Sequence, residues 1–119
     1  MIKITNKLGQ TRIYLKKYKR KIFPKEKFET KKFYLTKRKP LYCGGLRFRG
    51  FFKDNIKDKP LISIIMPNFK CADLENAIKS ILKQNYENLE LIVIDGNSGK
   101  DTLKILKRYD QDIDIWISE

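Results

Sequence analysis

Apolar residues in the second half of the chain form three short runs, at Ile62–Met66, Leu89–Ile94 and Ile113–Ser118. The first run is rich in isoleucine and lies between Pro60 and Pro67. Continuous β-branched runs that end at turn-forming residues are typical of strands buried on both faces of a sheet. The pattern therefore predicts three strands, of which at least the first two are buried on both faces.

Two amphipathic helices are predicted between these strands. Asp73 is expected to cap the first helix and Asp101 the second, because a short polar side chain can bond the free N–H groups of a first turn. The apolar face of the first helix consists of Leu74, Ala77, Ile78, Ile81 and Leu82. The apolar positions of the second helix are Leu103, Ile105, Leu106 and Tyr109. The order β-α-β-α-β with short loops predicts an α/β fold with a right-handed, parallel, Rossmann-like half-sheet.

Residues 1–59 are expected to form a basic arm and connector in front of a domain that covers residues 60–119. Ile13, Tyr14, Tyr18 and Ile22 give a rough helical stripe, which predicts a basic amphipathic helix over residues 10–22 within an otherwise poorly ordered arm. The stretch LYCGGLRFRGFFKDNIKDKP, residues 41–60, contains three glycines and predicts a connector with short turns.

Charge separates the two halves further. Residues 1–59 contain 20 Lys/Arg against 4 Asp/Glu, whereas residues 60–119 contain 7 against 10, so the net charge of +13 comes from the arm. A basic arm favours an anionic partner such as nucleic acid, a membrane surface or a polyanionic substrate. The chain has no histidine, which excludes a Cys/His zinc site and any histidine base. Its two cysteines suit the reduced thiols of a cytosolic protein.

No apolar run reaches the roughly 20 residues that a bilayer span needs, and the N-terminal stretch MIKITNKLGQ lacks the apolar segment of a signal peptide. We therefore expect a cytoplasmic protein, with peripheral membrane contact left open.

Polar and aromatic residues follow the predicted strands at their carboxyl ends, where open parallel sheets bind ligands. These residues are Pro67-Asn68-Phe69-Lys70, Asp95-Gly96-Asn97-Ser98 and Ser118-Glu119. An aromatic ring can stack on a base, a carboxylate can accept hydrogen bonds from a base or ribose, and a glycine lets a ligand approach the backbone. The turn PNFKCADLE has no glycine, so neither a dinucleotide fingerprint nor a P-loop is present, and phosphate would be held through a metal.

These residues resemble a known family, the family 2 glycosyltransferases with the GT-A fold. The resemblance covers residues 60–119 and rests on three blocks in order: the turn Pro67-Asn68-Phe69-Lys70, the helix LENAIKSILKQ and the loop DGNSGKDT. The tail IDIWISE and the stretch GGLRFRGFFK are similar to the subgroup that acts in exopolysaccharide and O-antigen assembly.

The resemblance implies roles for five residues. Phe69 matches the aromatic that stacks on the uracil of a UDP-sugar, Pro67 and Asn68 match turn residues that contact the nucleoside, and Asp95 matches the first carboxylate that reads the base. Gly96 stands where many members have a second aspartate. Lys70 stands where asparagine is usual, and both departures leave the choice of base open.

The family also uses a divalent metal, Mg²⁺ or Mn²⁺, held by an Asp-x-Asp motif, and a general-base carboxylate. Both are expected beyond Glu119, so no catalytic or metal-binding residue is expected in this chain. The letters DQDID at residues 110–114 precede a strand and are not favoured as a metal site. We therefore expect the chain to be an incomplete and inactive piece of a longer enzyme.

The favoured interpretation is a glycosyltransferase that moves a sugar from a UDP-sugar to a glycan or lipid-linked acceptor in cell-surface polysaccharide synthesis. Its basic arm would lie on the anionic cytoplasmic face of the membrane. One alternative is a basic nucleic-acid-binding module, in which Lys and Arg contact phosphates and aromatic residues stack on bases. The acidic, sugar-nucleotide-like half of the chain disfavours it. A vestigial, non-catalytic protein is the other alternative.

Overall fold

The computed structural model of the chain describes residues 2–5, 11–16 and 42–119. Their strands form two sheets. A small antiparallel sheet has the order β1-β2-β4, from Ile2–Thr5, Thr11–Lys16 and Phe51–Phe52. The larger sheet has the order β3-β7-β6-β5, from Tyr42–Gly44, Ile115–Ser118, Leu89–Asp95 and Ile62–Asn68.

The larger sheet confirms the predicted β-α-β-α-β unit. Strands β5, β6 and β7 are parallel neighbours, whereas β3 is antiparallel to β7. Helices α1, Leu74–Leu82, and α2, Lys100–Arg108, connect them. Both helices contribute to one core with Leu91, Val93 and Trp116, so they cover the same face of the sheet, as two right-handed crossovers in one direction require. Among the described residues, no helix is long and apolar enough to cross a bilayer.

The helix starts differ from the predictions in detail. Asp73 occupies the N-cap position of α1, but its side chain makes no capping hydrogen bond. Helix α2 starts at Lys100 with Gly99 as its N-cap, so the prediction that Asp101 caps this helix is wrong. Gly99 has a φ of 107°, a conformation that an aspartate side chain would strain. Asp101 lies in the first turn instead, where its charge favours the helix dipole.

Strand β5 is not buried on both faces as its apolar run predicted. Ile65 is 62% exposed, whereas Ile64 and Met66 on the other face pack against the core. Ile62 shares the face of Ile64 and Met66, but it is 45% exposed at the start of the strand. The reason is that β5 is the edge strand of the described sheet and that the described helices cover only one face. An edge position also explains why β5 continues through Pro67 to Asn68, since a proline without an N–H is tolerated there.

The helix predicted over residues 10–22 is wrong at Thr11–Lys16, which form strand β2 and pair with both β1 and β4. Residues 17–22 of that prediction lie outside the described residues. The segment contains Thr11, Ile13 and Tyr14. Their β-branched and aromatic character, which the rough helical stripe obscured, favours a strand.

Residues 42–53 do more than connect. Beyond β3, the 3-10 helix Leu46–Arg49 is attached to the start of β7 by backbone bonds from Leu46 N to Ile113 O and from Arg47 N to Asp114 O, both 3.0 Å. The backbones touch because Gly45 has no side chain: a Cβ there would lie 2.6 Å from Asp114 O. Gly45 also has a φ of 106°. Gly44 and Gly45, which the sequence predicted to lie in a turn, therefore permit close packing at this point.

A buried ion pair completes this attachment. Lys53 Nζ lies 2.7 Å from Asp114 Oδ2 and 2.6 Å from Leu89 O. The side chains of both charged residues are 1% exposed. Asp114 Oδ2 also accepts the Leu91 amide at 2.8 Å. Two charges removed from water are tolerated only when paired and hydrogen-bonded in this way, so removal of one partner leaves the other at a high cost.

Replacing Lys53 with methionine is expected to lower the free energy of unfolding by about 3–5 kcal/mol, because the Asp114 carboxylate stays buried without its cation. Urea denaturation followed by circular dichroism measures the change. Lys59→Met is the matched control, since the ion pair of Lys59 with Glu87 is about half exposed and such pairs add little stability. Equal unfolding midpoints for the two variants would contradict the prediction.

Candidate functional site

Three strand ends lie level at the carboxyl edge of the sheet. Asn68 of β5 is the register partner of Asp95 of β6, and Asp95 is the partner of Ser118 of β7. Register partners project to the same face, so the three polar side chains form a row across the sheet. All three are buried, with at most 7% of their surface exposed. The row forms the floor of the candidate site.

The Asp95 carboxylate is the centre of this row. Its Oδ1 accepts hydrogen bonds from Asn68 Nδ2 at 2.6 Å and from the Ser98 hydroxyl. Its Oδ2 accepts the Ser118 hydroxyl at 2.7 Å and the Ser98 backbone N–H at 3.0 Å. A carboxylate has about four acceptor positions, and here four donors occupy them. No charged side chain is among these donors, so a negative charge is held by neutral dipoles alone.

These donors determine the ionisation of Asp95. Burial pushes the pKa of the carboxyl upward, because an apolar environment disfavours the charge. The hydrogen bonds from Ser98, Ser118 and Asn68 favour the charged form and outweigh that effect, so the pKa lies below the ordinary value of 3.8. Asp95 is therefore ionised at neutral pH even though it is fully buried.

Ser98 links the loop after β6 to the turn after β5. Its hydroxyl donates to Asp95 Oδ1 and accepts the Lys70 backbone N–H at 2.7 Å. Asn68 Nδ2 approaches the same oxygen at 3.3 Å. The two backbones are joined a second time by a bond from Gly96 N to Asn68 O of 2.9 Å. The two loops at the strand ends are therefore one hydrogen-bonded unit.

Phe69 lies in the turn after β5, with 67% of its surface exposed. The Lys70 ammonium lies 5.2 Å from the centroid of the ring, within cation–π range. Gly96 lies beside the ring, and a Cβ at Gly96 would come within 3.3 Å of Phe69 Cδ2. A large ring left in water, in contact with backbone on one side, is a surface that can accept another flat ring.

The structure thus brings together four of the five residues singled out from the sequence: Asn68, Phe69, Asp95 and Gly96. Pro67 is the exposed penultimate residue of β5 and is adjacent to them in the chain. The structure adds Ser98 and Ser118 as direct partners of Asp95. The sequence placed both serines at this edge, but no sequence pattern indicated that their hydroxyls would donate hydrogen bonds to the Asp95 carboxylate.

The described residues do not fit a metal ion. Among residues 2–5, 11–16 and 42–119, no three Cys, Asp or Glu side chains come together as a metal cluster would. The Asp95 oxygens accept hydrogen bonds from four donors. In the stretch 110–114, Asp110 accepts Gly45 N and Trp116 Nε1, both at 2.7 Å, and pairs with Arg49, while Asp114 pairs with Lys53. Hydrogen bonds and ion pairs within the protein thus occupy the carboxylates of Asp95, Asp110 and Asp114.

Part of the chain is similar in sequence to known proteins. Residues 63–117 match the family model described as glycosyl transferase family 2, which confirms the resemblance over that segment. The chain is 43% identical over 56 residues to the GalNAc(5)-diNAcBac-PP-undecaprenol β-1,3-glucosyltransferase of Campylobacter jejuni, covering 46% of this chain and 18% of that protein. No solved structure matches the chain at a comparable level of significance.

A second relative is the UDP-Glc:α-D-GlcNAc-diphosphoundecaprenol β-1,3-glucosyltransferase WfgD of Escherichia coli. It is 41% identical over 64 residues, which are 52% of this chain and 25% of that protein. The match therefore spans about a fifth to a quarter of the length of these two relatives.

The titration of Asp95 tests the geometry of its carboxylate. Because its pKa is lowered, the ionised form stabilises the fold above the unfolded-state value of 3.8, and this contribution is lost as the pH falls through the folded-state pKa. Carbon-detected NMR of the Asp95 carboxyl is expected to give a midpoint below 3.8. Ser118→Ala is expected to raise that midpoint, since one donor is lost. A midpoint above 3.8, or one unmoved by Ser118→Ala, would contradict the hydrogen-bond arrangement.

Proposed function

From the match of residues 63–117 to glycosyl transferase family 2, we propose that this chain carries the nucleoside-binding part of a glycosyltransferase with a UDP-sugar donor. The single observation that carries the proposal is the carboxyl edge of the sheet, where the exposed Phe69 ring lies beside Gly96 and directly follows Asn68, the register partner of Asp95. An edge with one exposed aromatic ring and several fixed polar groups is suited to a nucleoside.

In this proposal each residue has a defined task. The exposed face of Phe69 stacks on the base, and Gly96 leaves room for the ring and the ligand beside the backbone. Pro67 and Asn68 shape the turn that holds Phe69, and Asp95 fixes the loop below it. The Lys70 ammonium, 5.2 Å from the ring centroid, contributes positive charge next to the base position. These groups bind and orient the donor.

The donor and acceptor classes follow from the relatives. The Escherichia coli relative is named for UDP-Glc as donor, and the names of both relatives specify acceptors linked to undecaprenol through a diphosphate. We extend both classes to this chain: a UDP-sugar donor and a glycan or lipid-linked acceptor in cell-surface polysaccharide synthesis. The 20 Lys/Arg in residues 1–59 support a place at the anionic cytoplasmic face of the membrane, since each basic residue near such a surface contributes about 1 kcal/mol.

The divalent metal that the family implies would neutralise a diphosphate leaving group. The described residues do not provide its ligands, so the role of this chain in the proposal ends at the nucleoside.

The proposal is tested by titrating the whole chain with UDP, with and without Mg²⁺, while NMR follows the backbone amides. Binding is expected to shift the amides of Phe69, Lys70 and Gly96 with little dependence on metal. Phe69→Ala is expected to raise the Kd for UDP about 5- to 100-fold, because stacking of a base on an aromatic ring contributes about 1–3 kcal/mol.

Phe48→Ala is the matched control. Phe48 is also exposed, at 52%, but it lies in the 3-10 helix at the opposite end of β7. Equal UDP affinities for the two alanine variants would contradict the stacking role of Phe69. Binding of a single-stranded RNA oligonucleotide without binding of UDP would favour the nucleic-acid-binding alternative instead.

A further inference from the structure

Protein donors occupy the hydrogen-bond acceptor positions of the Asp95 carboxylate, which limits how this residue can interact with a nucleoside. Each of its two oxygens accepts two hydrogen bonds from the protein, and the side chain is fully buried. A base could bond to Asp95 only by displacing one of these donors and leaving it unpaired, at a cost comparable to the bond gained. Direct reading of the base by Asp95 is thus unfavourable in this arrangement.

The Ser98 hydroxyl connects the buried Asp95 carboxylate to the turn that carries Phe69 and Lys70. A hydroxyl has one proton to donate and two lone pairs to accept with. Because the ionised carboxylate has no proton, the Ser98 hydroxyl must be the donor in its bond to Asp95. Its lone pairs are then directed away from Asp95, and they face the Lys70 N–H at 2.7 Å and Asn68 Nδ2 at 3.3 Å.

The Lys70 backbone needs such a partner. Lys70 has a φ of 50°, in the left-handed region that residues other than glycine rarely adopt. Such a conformation persists only where the surroundings hold it. The bond from Lys70 N to Ser98 Oγ crosses 28 positions of sequence and joins this turn to the loop of the next strand. Phe69 immediately precedes Lys70, so the conformation of this turn sets the direction of the ring.

We propose that Ser98 is a positioning residue, which uses the buried Asp95 carboxylate as its anchor to hold the Phe69–Lys70 turn and thereby the ring on which the nucleoside stacks. The ligand class rests on the proposed function, whereas the positioning of the turn does not. Ser118 donates to the same carboxylate, and its hydroxyl bonds to Asp95 Oδ2 rather than to the Phe69–Lys70 turn. Replacing Ser118 therefore removes a donor to Asp95 without removing a hydrogen bond to the turn.

The first experiment compares Ser98→Ala with Ser118→Ala in the full chain without ligand, by NMR of the backbone amides and their hydrogen exchange. Ser98→Ala is expected to shift the Lys70 amide and to accelerate its exchange about tenfold, since one hydrogen bond is lost. Ser118→Ala is expected to leave the Lys70 amide unchanged. Unaltered Lys70 exchange in Ser98→Ala, or equal effects of the two variants, would overturn the proposal.

Two further variants keep the outcome clear. Ser98→Thr retains the hydroxyl and is expected to restore the Lys70 amide, which distinguishes lost positioning from a disturbed fold. Protection of the Leu106 amide in the core of α2 reports whether each variant is folded. A threonine variant that behaves like the alanine variant while Leu106 stays protected would also overturn the proposal.

The second experiment measures UDP affinity. Ser98→Ala is expected to raise the Kd about tenfold. Ser80→Ala is expected to leave the Kd unchanged, because Ser80 is an exposed residue of α1 whose hydroxyl donates to Ala77 O. If the unsubstituted chain does not bind UDP, the proposed function fails, while the Lys70 amide still decides the positioning role. If UDP binds equally to Ser98→Ala and Ser80→Ala, the positioning role fails and the proposed function stands.

Discussion

The buried negative charge of Asp95 is the constraint on which the carboxyl edge of this sheet depends. A carboxylate without water must be surrounded by donors, because an unpaired buried charge costs several kcal/mol. Its donors come from all three parallel strands or the loops after them: Asn68, Ser98 and Ser118. To satisfy one side chain, three chain segments must take fixed positions relative to one another. The fixed geometry of the carboxyl edge thus follows from the hydrogen bonds that the buried Asp95 carboxylate requires.

A second buried carboxylate, Asp114, lies near the amino end of the same sheet and is handled differently. Asp114 is neutralised by Lys53, so that end carries no net charge from the pair. The donors around Asp95 are all neutral, so its end keeps one negative charge. That charge opposes a diphosphate directly above it and tolerates an uncharged base. For the UDP-sugar donor that we propose, this asymmetry favours a base near Asp95 and phosphates away from it, toward positive charge such as that of Lys70.

The sequence predicted the parts of the fold that depend on local pattern. The three parallel strands, the two helices and the residues at the carboxyl edge follow from apolar runs and helical spacing. It did not predict features set by distant partners. The exposure of Ile65 depends on which neighbours β5 has, the cap at Gly99 depends on a backbone angle, and the strand at Thr11–Lys16 depends on pairing with β1 and β4. The four donors around Asp95 belong to this class, since Ser98 and Ser118 are ordinary serines until the sheet register aligns them with the carboxylate.

The position of Lys53 indicates that the folded unit extends beyond the family match, which begins at residue 63. Lys53 is the cation of a buried pair, Gly45 is in backbone contact with Asp114, and β3 forms the strand next to β7. Without residues 42–53, Asp114 would lose its counter-ion and β7 would become an edge. A polypeptide that started at residue 60 would therefore bury an unpaired carboxylate beside the core. The segment 42–53 is therefore part of the structure that holds the candidate site.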